Sequence, residues 1–468
     1  MIEKSLCEEV LGKALSTGAD YAEIFAERSP ATSLFMVDKR LEEISDSVNS
    51  GAGIRVMSGT RSVYGSTTDL SRAGLLLLAE QVAEALGQGK GALSIHLTPM
   101  RVGCCSPILR PSSEVSKKEK LEVLKRCYFA ALEADGRIKQ VKARILDVDR
   151  NILIANSEGK YIVDRQVRTR LACSSIAEDQ NGMESGFEGP GRRMGMEMFE
   201  KEVSPEKTGR EASRVALARL GASFCPAGQM TVAGRMPVAI ENGFGGVIFH
   251  EACGHSLEAT AVATGTSQMA GKLGQKIAGE KVTAIDDPTE KNAWGSIDVD
   301  DEGTPTHKIV LIEKGILKSY MVDRLGSRRM NGMPLTGSAR RQDYSYEPTS
   351  RMTNTYIDNG PDRNEDIISS MESGLYCAKM GGGSVNPISG AFNFSVEEGY
   401  LVKNGRLAEC VKGASLIGTG SEVLLNIDMV GQNRFNGQGM CGSVSGSVPN
   451  EVGQPLIRIS SITVGGRN

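Results

Sequence analysis

The pattern of apolar and polar positions at the start of the chain predicts helices at both ends of a group of strands. Residues 2–16 and 69–87 repeat apolar side chains at helical spacing, and a glycine closes the second helix. Between them, short alternating runs predict strands at residues 21–28, 32–38, 41–48, 53–59 and 61–67. This order of elements predicts an antiparallel sheet that helices cover on one face.

Helices and strands continue to alternate up to about residue 221. Long helices are predicted at 119–134 and 207–221. Between these two helices the pattern predicts strands at 139–148, 151–156 and 160–176, with a hairpin turn at 156–159. The glycine- and methionine-rich residues 180–198 predict a mobile loop.

The pattern changes at about 221–228, beyond which helical periodicity is rare and strands and glycines dominate. We therefore predict an α+β fold in two parts. Residues 1–225 form an N-terminal domain with an antiparallel sheet and helices, with a possible break near 100–112. Residues 226–468 form a β-rich C-terminal domain, which carries one functionally important helix.

That helix lies in the sequence GFGGVIFHEACGHSLE, residues 243–258, which holds two of the four histidines of the chain. His250-Glu251 followed closely by His255 is a metal-site pattern, because imidazoles bind zinc and a neighbouring carboxylate can activate water, but the common zincin helix places its histidines four apart. The simpler interpretation is a buried, glycine-rich helix with two incidental histidines.

The histidines are five residues apart, which turns them by roughly 140° around a regular α-helix. Two nitrogens that bind one ion cannot lie so far apart around the axis. We therefore predict that the helix widens, kinks or ends before His255, with Gly254 as the position of a break or a π-bulge.

Several other polar groups in the C-terminal part have two interpretations each. The acidic residues Asp298, Asp300, Asp301 and Glu302 lack the spacing of an EF-hand calcium loop, so a solvated turn is predicted. A strong hairpin follows, turning at Lys314-Gly315.

Further along, Arg340, Arg341 and Arg351 either bind a substrate carboxylate or belong to an ordinary interface. The triplet Gly381–Gly383 does not match a phosphate loop and favours close approach of backbones, including an added peptide strand. Cys441 lies among glycines in a tight turn, and its thiolate would complete a three-ligand zinc site with the two histidines.

Composition excludes several classes of function. The formal net charge is −3 and no basic tract occurs, so direct binding to nucleic acid is not expected. No apolar run is long enough to span a membrane, and the acidic N-terminus does not resemble a signal peptide. Ten cysteines in such a chain indicate free thiols and a cytoplasmic protein.

Five segments, HEACGHSLEA, DDEGTPT, GILKSYMVDRLGSRRM, PTSRMTNTYI and GMCGSVSGSVPNEVGQP, closely resemble the TldD branch of the TldD/PmbA family, also called modulators of DNA gyrase. The resemblance is strong over most of 227–468 and looser before it. It implies a cytosolic zinc metallopeptidase that acts on peptides or unfolded segments. It also implies a dimer, either of identical chains or with a PmbA-like subunit that lacks the zinc motif.

Matched to the family motif, His250, His255 and Cys441 correspond to the metal ligands and Glu251 to the general base. Cys253 is a departure, because the family carries a small apolar residue there. Two alternatives stay open at this point. One is a metal-independent cysteine hydrolase that uses Cys441 or Cys253 with a histidine. The other is a non-catalytic peptide-binding or regulatory subunit, which would have no need of Glu251.

Overall fold

The computed structural model describes residues 2–87, 89, 91, 94–180, 182–227, 234–386 and 389–466. These residues form three larger β-sheets with helices packed against them. The helices are Lys4–Ala14, Arg72–Leu86, Lys117–Leu132, Met198–Lys201, Pro205–Leu220, Val247–Ala252, Ala259–Val262, Arg324–Arg329, Asn364–Ser369 and Gly420–Leu425. Within this part of the chain, no helix has both the length and the apolar character that crossing a membrane requires.

The first sheet belongs to the N-terminal half and has the order β3-β2-β1-β5-β6-β4, with β7 and β8 also paired to β6. All its pairings are antiparallel except that of β4 with β6. Its strands are β1 (Tyr21–Val37), β2 (Arg40–Ser58), β3 (Arg61–Thr67), β4 (Thr98–Pro99), β5 (Ile138–Asn156), β6 (Lys160–Asp179), β7 (Gly182–Glu188) and β8 (Gly191–Arg192).

The second and third sheets are built from the rest of the chain. The second has the order β17-β10-β24-β20-β18-β19-β9, with β21 beside β24, and the third has the order β13-β12-β11-β16-β23-β22. A short pair, β14 with β15, completes the strands. These strands are β9 (Ser223–Phe224), β10 (Arg235–Ile240), β11 (Ala284–Asp286), β12 (Ile309–Glu313), β13 (Ile316–Leu317), β14 (Ala339–Arg340), β15 (Thr349–Ser350), β16 (Asn354–Ile357), β17 (Ser373–Val385), β18 (Ala391–Lys403), β19 (Arg406–Lys412), β20 (Ser415–Thr419), β21 (Ile427–Val430), β22 (Phe435–Ser443), β23 (Gly446–Gln454) and β24 (Ile457–Gly465).

The α+β class and the β-rich C-terminal part are confirmed. Residue 228 of the predicted boundary at about 221–228 lies outside the described residues. β9 precedes the expected division after residue 225 and yet pairs with β19 of the second sheet. The division into domains 1–225 and 226–468 stays a prediction.

The helix boundaries follow from local sequence. Ser71, Ser116 and Ser204 each precede a helix, and the side chain of each accepts a hydrogen bond from a backbone N–H of the first turn. Such caps satisfy donors that have no partner inside the helix. The predicted helices at 69–87, 119–134 and 207–221 are therefore confirmed to within a few residues.

The strands of the first sheet are longer than predicted. Residues 21–28 and 32–38 form one strand, β1, although Pro30 lies between them. Proline has no N–H for a strand ladder. The pairing of β1 with β5 accordingly passes from Arg28 to Ala31, and Pro30 is paired only with β2. The interruption at Pro30 is therefore a gap in the pairing of β1 with β5 and not the end of a strand.

The prediction of a mobile loop at 180–198 is wrong. β7 pairs with β6 and packs under the helix Pro205–Leu220. A Cβ at Gly186 would lie 2.2 Å from the carbonyl oxygen of Ala212. Glycine serves here to let a strand and a helix approach closely, which composition alone does not distinguish from mobility.

The first sheet is covered on both faces. Helices cover one face, and the other packs against the C-terminal half through buried charges. Arg55 donates to Glu23 at 2.8 Å and also to Glu302, and Arg341 donates to Glu23 at 2.8 Å. The predicted solvated turn at 298–302 is therefore wrong, because Asp300, Asp301 and Glu302 are buried. Asp298, Asp301 and Glu302 form ion pairs with arginines that are distant in sequence. Buried charges persist only where they are paired in this way.

Candidate metal centre

The segment that carries the histidines changes its helix type twice. A 3₁₀ turn at Phe244–Gly246 leads into the α-helix Val247–Ala252, and a second 3₁₀ turn covers Gly254–Leu257. Cys253 lies between them with φ −132° and ψ −43°, outside the α-helical region. The prediction that the helix is not regular through His255 is confirmed, although no π-bulge occurs and the break falls at Cys253.

Gly254 is required for packing and not for an unusual dihedral angle. A Cβ at this position would lie 2.2 Å from the Met352 sulfur. Gly246 has a similar role at the start of the helix, where a Cβ would lie 2.4 Å from the nitrogen of Gly453 in β23. The glycines of the motif thus let the irregular helix lie directly on the third sheet.

The structure brings the three predicted metal ligands together. Cys441 in β22 places its sulfur 3.3 Å from Nε2 of His250 and 3.2 Å from Nε2 of His255. One ligand atom from each residue lies within 4.8 Å of the others. His250 and Cys441 are buried and His255 is partly buried.

This donor set fits a zinc ion. Zinc takes thiolate at about 2.3 Å and imidazole at about 2.0–2.1 Å, so tetrahedral geometry separates sulfur and nitrogen by roughly 3.6 Å. The two observed sulfur–nitrogen distances are close to that separation. Three protein ligands would also leave a fourth position open, which is typical of catalytic and not of structural zinc sites.

Two charged residues hold this group in place: Glu258, which the sequence did not single out, and Arg351, whose role the sequence left open. Nδ1 of His255 lies 3.2 Å from a carboxylate oxygen of Glu258, which fixes the ring and leaves Nε2 facing Cys441. The buried Arg351 donates to the carbonyls of Cys441 at 2.6 Å and of Gly446 at 2.9 Å. Arg351 therefore clamps the β22–β23 hairpin, and the interface interpretation of this arginine is the one that agrees with the structure.

Glu258 had a recognisable signal, since a carboxylate three residues after a candidate histidine suits the usual carboxylate–histidine–zinc arrangement. The role of Arg351 had none, because its partners are backbone carbonyls about ninety residues away. Arg340 and Arg341 are likewise buried, and they bond to the Met352 carbonyl and to Glu23 respectively.

Electrostatics separates the two histidines. Burial and the nearby His255 and Arg351 lower the pKa of His250 well below its usual range, which favours the neutral imidazole that a metal needs. Burial alone would lower the pKa of His255 as well. Glu258 and Cys441 outweigh burial there and raise the pKa of His255 well above its ordinary value.

Glu251 lies beside the cluster, with one carboxylate oxygen 3.7 Å from Nε2 of His255. Within the described stretches, no group donates a hydrogen bond to this carboxylate. Burial raises its pKa, and His255 only partly offsets that effect. A carboxylate with a raised pKa and no donor attached is suited to exchanging a proton near neutral pH.

Cys253 is not part of this group. Its side chain is buried in the apolar core of the C-terminal half, and burial raises the pKa of its thiol to about 12. The thiol among the metal-ligand candidates is therefore that of Cys441.

A cleft runs along the residues of β22 that precede Cys441. Alternate residues of a strand share a face, so Gly437 and Gly439 lie on the face of Cys441 and carry no side chain there. A cavity of about 590 Å³ follows these glycines and is bounded on the other side by residues 378–382, which include two of the Gly381–Gly383 triplet. It follows β22 from Phe435 to Met440, about 16 Å of strand at roughly 3.3 Å per residue.

The chain matches the models of one protein family along most of its length. Models of the PmbA/TldA metallopeptidase family match residues 22–86 as domain 1, 110–220 as the central domain and 233–466 as the C-terminal domain.

Individual proteins are similar along nearly the whole chain or along half of it. A metalloprotease TldD homolog of Haemophilus influenzae is 35% identical over 460 residues, which covers 96% of this chain and 93% of that protein. A zinc metalloprotease TldD homolog of Saccharolobus solfataricus is 32% identical over 241 residues, 51% of this chain and 53% of that one.

Two solved structures share the fold. A Thermotoga maritima protein described as a modulator of a DNA gyrase aligns with a TM-score of 0.79 at 21% identity, over 99% of this chain and 100% of that chain. TldE from Thermococcus kodakarensis aligns with a TM-score of 0.72 at 20% identity, over 96% and 97%. On its three domain matches and its full-length similarity to TldD homologs, the chain belongs to the PmbA/TldD metallopeptidase family.

Proposed function

We propose that this protein is a zinc-dependent metallopeptidase that hydrolyses peptide bonds in peptides or unfolded protein segments. The observation that carries the proposal is the convergence of His250, His255 and Cys441 beside Glu251, on a strand that a cleft follows up to the residue before Cys441. The zinc named for the Saccharolobus relative supports the choice of metal.

In this proposal the three converging side chains hold the metal and Glu251 moves the proton. Zinc bound there would supply Lewis-acid chemistry, which polarises a carbonyl and activates water. Glu251 accepts a proton from the attacking water and returns it to the leaving amine. Glu258 holds His255 in the tautomer that presents Nε2, and Arg351 fixes the strand that carries the thiol.

We propose that the substrate lies extended along β22. This strand forms the edge of the third sheet, and the cleft follows its residues from Phe435 to Met440. An extended peptide can add to such an edge through main-chain hydrogen bonds, which selects for conformation more than for side chains. Selection of that kind suits peptides and unfolded segments, whose backbones are free to pair.

We further propose that the active form is a dimer that encloses the cleft. The partner is either an identical chain or a PmbA-like subunit. The shared fold with a TldE protein makes the second arrangement structurally reasonable. Sedimentation velocity at assay concentration tests this point, and activity confined to a monomeric species would exclude the dimer.

The substitution Glu251→Gln tests the catalytic assignment, because it removes the base and keeps the size of the side chain. We expect zinc content and thermal unfolding to be unchanged and peptide hydrolysis to fall by at least about 10²-fold. Glu280→Gln is a matched control, since Glu280 is exposed on the surface. Near-normal hydrolysis by Glu251→Gln would falsify the role of Glu251.

One observation favours a second candidate, a cysteine hydrolase. Cys441, His255 and Glu258 are joined by distances of 3.2 Å and 3.2 Å, the order of nucleophile, base and orienting carboxylate. Chelation separates the two candidates. A metallopeptidase loses activity with its zinc and regains it when zinc is restored. A cysteine hydrolase stays active without metal and is inactivated by alkylation of Cys441.

The non-catalytic subunit is the third possibility. Binding of peptides without any hydrolysis, in the zinc-loaded protein together with its partner subunit, would favour it over both enzymes.

A further inference from the structure

Arg170 in β6 has no hydrogen-bond or ion-pair partner for its side chain among the residues that the structure describes. It lines the cavity that follows β22, and its Nε is buried without a hydrogen-bond acceptor. Burial lowers the pKa of Arg170, and no neighbouring carboxylate offsets that effect. Leaving a buried donor of a charged group unsatisfied costs free energy, which a ligand that supplies the acceptor would recover.

The other cations around this cavity are paired, which makes Arg170 an exception. Lys379 contacts carboxylate oxygens of Glu188 at 2.7 Å and of Glu211 at 2.8 Å. Arg192 contacts Glu202 at 2.8 Å. These charges are therefore satisfied by the protein itself, whereas Arg170 is not.

The direction of Arg170 follows from its strand. Arg168, two residues earlier and on the same face, donates to the carbonyls of Trp294 and Ser296 in the C-terminal half. Arg170 therefore faces the same half, where the cavity lies. A Cβ at Gly189 would come within 3.2 Å of an Nη atom of Arg170, so the glycine leaves the guanidinium open to the cavity.

The surroundings of Arg170 suit an apolar chain that ends in or carries an anion. Three large apolar side chains that line the cavity are exposed, namely those of Phe187, Phe435 and Met440. Met440 directly precedes the proposed metal ligand Cys441 in β22, so the cavity follows the strand that carries this ligand.

We infer that Arg170 binds a carboxylate of the peptide substrate, and thereby fixes the position of the peptide along β22. This inference rests on the proposed function and adds the chemical class that the cleft selects. The planar guanidinium can hold a carboxylate through two hydrogen bonds. The carboxylate is supplied either by the C-terminus of the peptide or by an acidic side chain.

Binding of four versions of one ten-residue apolar peptide tests the inference. The versions carry a free C-terminus without acidic residues, an amidated C-terminus without acidic residues, an amidated C-terminus with one glutamate, and the same peptide with glutamine in its place. Calorimetric titration into the zinc-loaded Glu251→Gln protein measures affinity without turnover.

We expect a version with a carboxylate to bind about tenfold to a hundredfold more tightly than its neutral counterpart, as hydrogen bonds to charged groups typically contribute. Arg170→Met should remove the difference and Arg170→Lys should retain part of it. The first pair of peptides identifies a C-terminal carboxylate, and the second pair identifies a side chain. Arg165→Met is the matched control, because Arg165 lies on the opposite face of β6, outside the cavity, and should leave all four affinities unchanged.

Equal binding of all four peptides would overturn the inference, and so would a preference that persists in Arg170→Met. Loss of affinity for every peptide in that variant would also overturn it, because that result indicates a structural role. Carboxylate-dependent binding without hydrolysis by the parent protein would leave the role of Arg170 standing and would count against the peptidase.

Discussion

The contact between Gly254 and Met352 offers a direct test of how packing positions the metal ligands. A methyl group at residue 254 would lie 2.2 Å from the Met352 sulfur, far inside van der Waals contact. Met352 is buried, with 1% of the residue surface exposed, so its side chain has little room to move away. The 3₁₀ turn Gly254–Leu257 carries His255 and must move in response.

Gly254→Ala should therefore lower the free energy of unfolding by about 1–3 kcal/mol, the usual effect of overpacking a core. It should also weaken zinc binding by at least about tenfold, because His255 and Cys441 would no longer share one ion. Met352→Ala alone should destabilise by about 2–5 kcal/mol, since it opens a cavity. Its ligand geometry should be retained.

The double variant Gly254→Ala, Met352→Ala should be more stable than the sum of the single changes by about 1–3 kcal/mol, because the added methyl fills space that methionine vacated. Zinc affinity should return to within about threefold of the parent, because the two substitutions compensate each other at one contact. Urea unfolding of the metal-free proteins and competitive zinc titration measure the two quantities. Additive unfolding energies, or parental zinc affinity in Gly254→Ala, would refute the reasoning.

Three further predictions concern groups around the site and between the two halves of the chain. Glu258→Gln should lower zinc affinity by about 10–100-fold, because His255 loses the carboxylate that orients it; an unchanged zinc titration would contradict this. Arg351→Met should reduce both zinc affinity and thermal stability, since three buried acceptors in the β22–β23 hairpin lose their donor; a shift in neither quantity would contradict the clamp. Acid should destabilise the protein through Glu23: burial opposes its ionisation, but Arg55 and Arg341 outweigh burial and lower its pKa to about 2, from 4.5. The folded-state pKa lies below the unfolded value, so the stabilisation is present above about pH 4.5 and is lost as the pH falls toward 2; urea unfolding between about pH 5 and pH 3 should be less pH-dependent in Glu23→Gln, and identical slopes would argue against it.

The sequence determined those features that depend on neighbouring residues. The starts of three helices were predictable from local sequence, because a serine side chain caps the first turn of each: Ser71, Ser116 and Ser204. The hairpin at Lys314-Gly315 was predictable because glycine favours the positive φ that a tight turn requires. In the structure both residues adopt positive φ. The break before His255 was predictable from helix geometry, since a five-residue spacing cannot place two nitrogens on one side.

Local pattern failed where glycine and charge had more than one use. The glycines of residues 180–198 indicated mobility in the sequence, whereas in the structure Gly186 allows a strand to contact a helix closely. The acidic residues around Glu302 indicated a solvated turn. In the structure they are buried, and Glu302 is paired with Arg55, which lies 247 residues away along the chain. A local pattern cannot reveal a partner at that distance.

The tertiary structure alone decided how the candidate metal centre is assembled. His255 and Cys441 are 186 residues apart in sequence and 3.2 Å apart in space. No spacing rule relates them, and Cys441 was one of ten cysteines until the family resemblance singled it out. The partners of Arg351 in the hairpin that carries the thiol were equally hidden. Hydrophobic period and capping are encoded within a turn or two of the chain, whereas a converging site depends on which distant strands the core brings together.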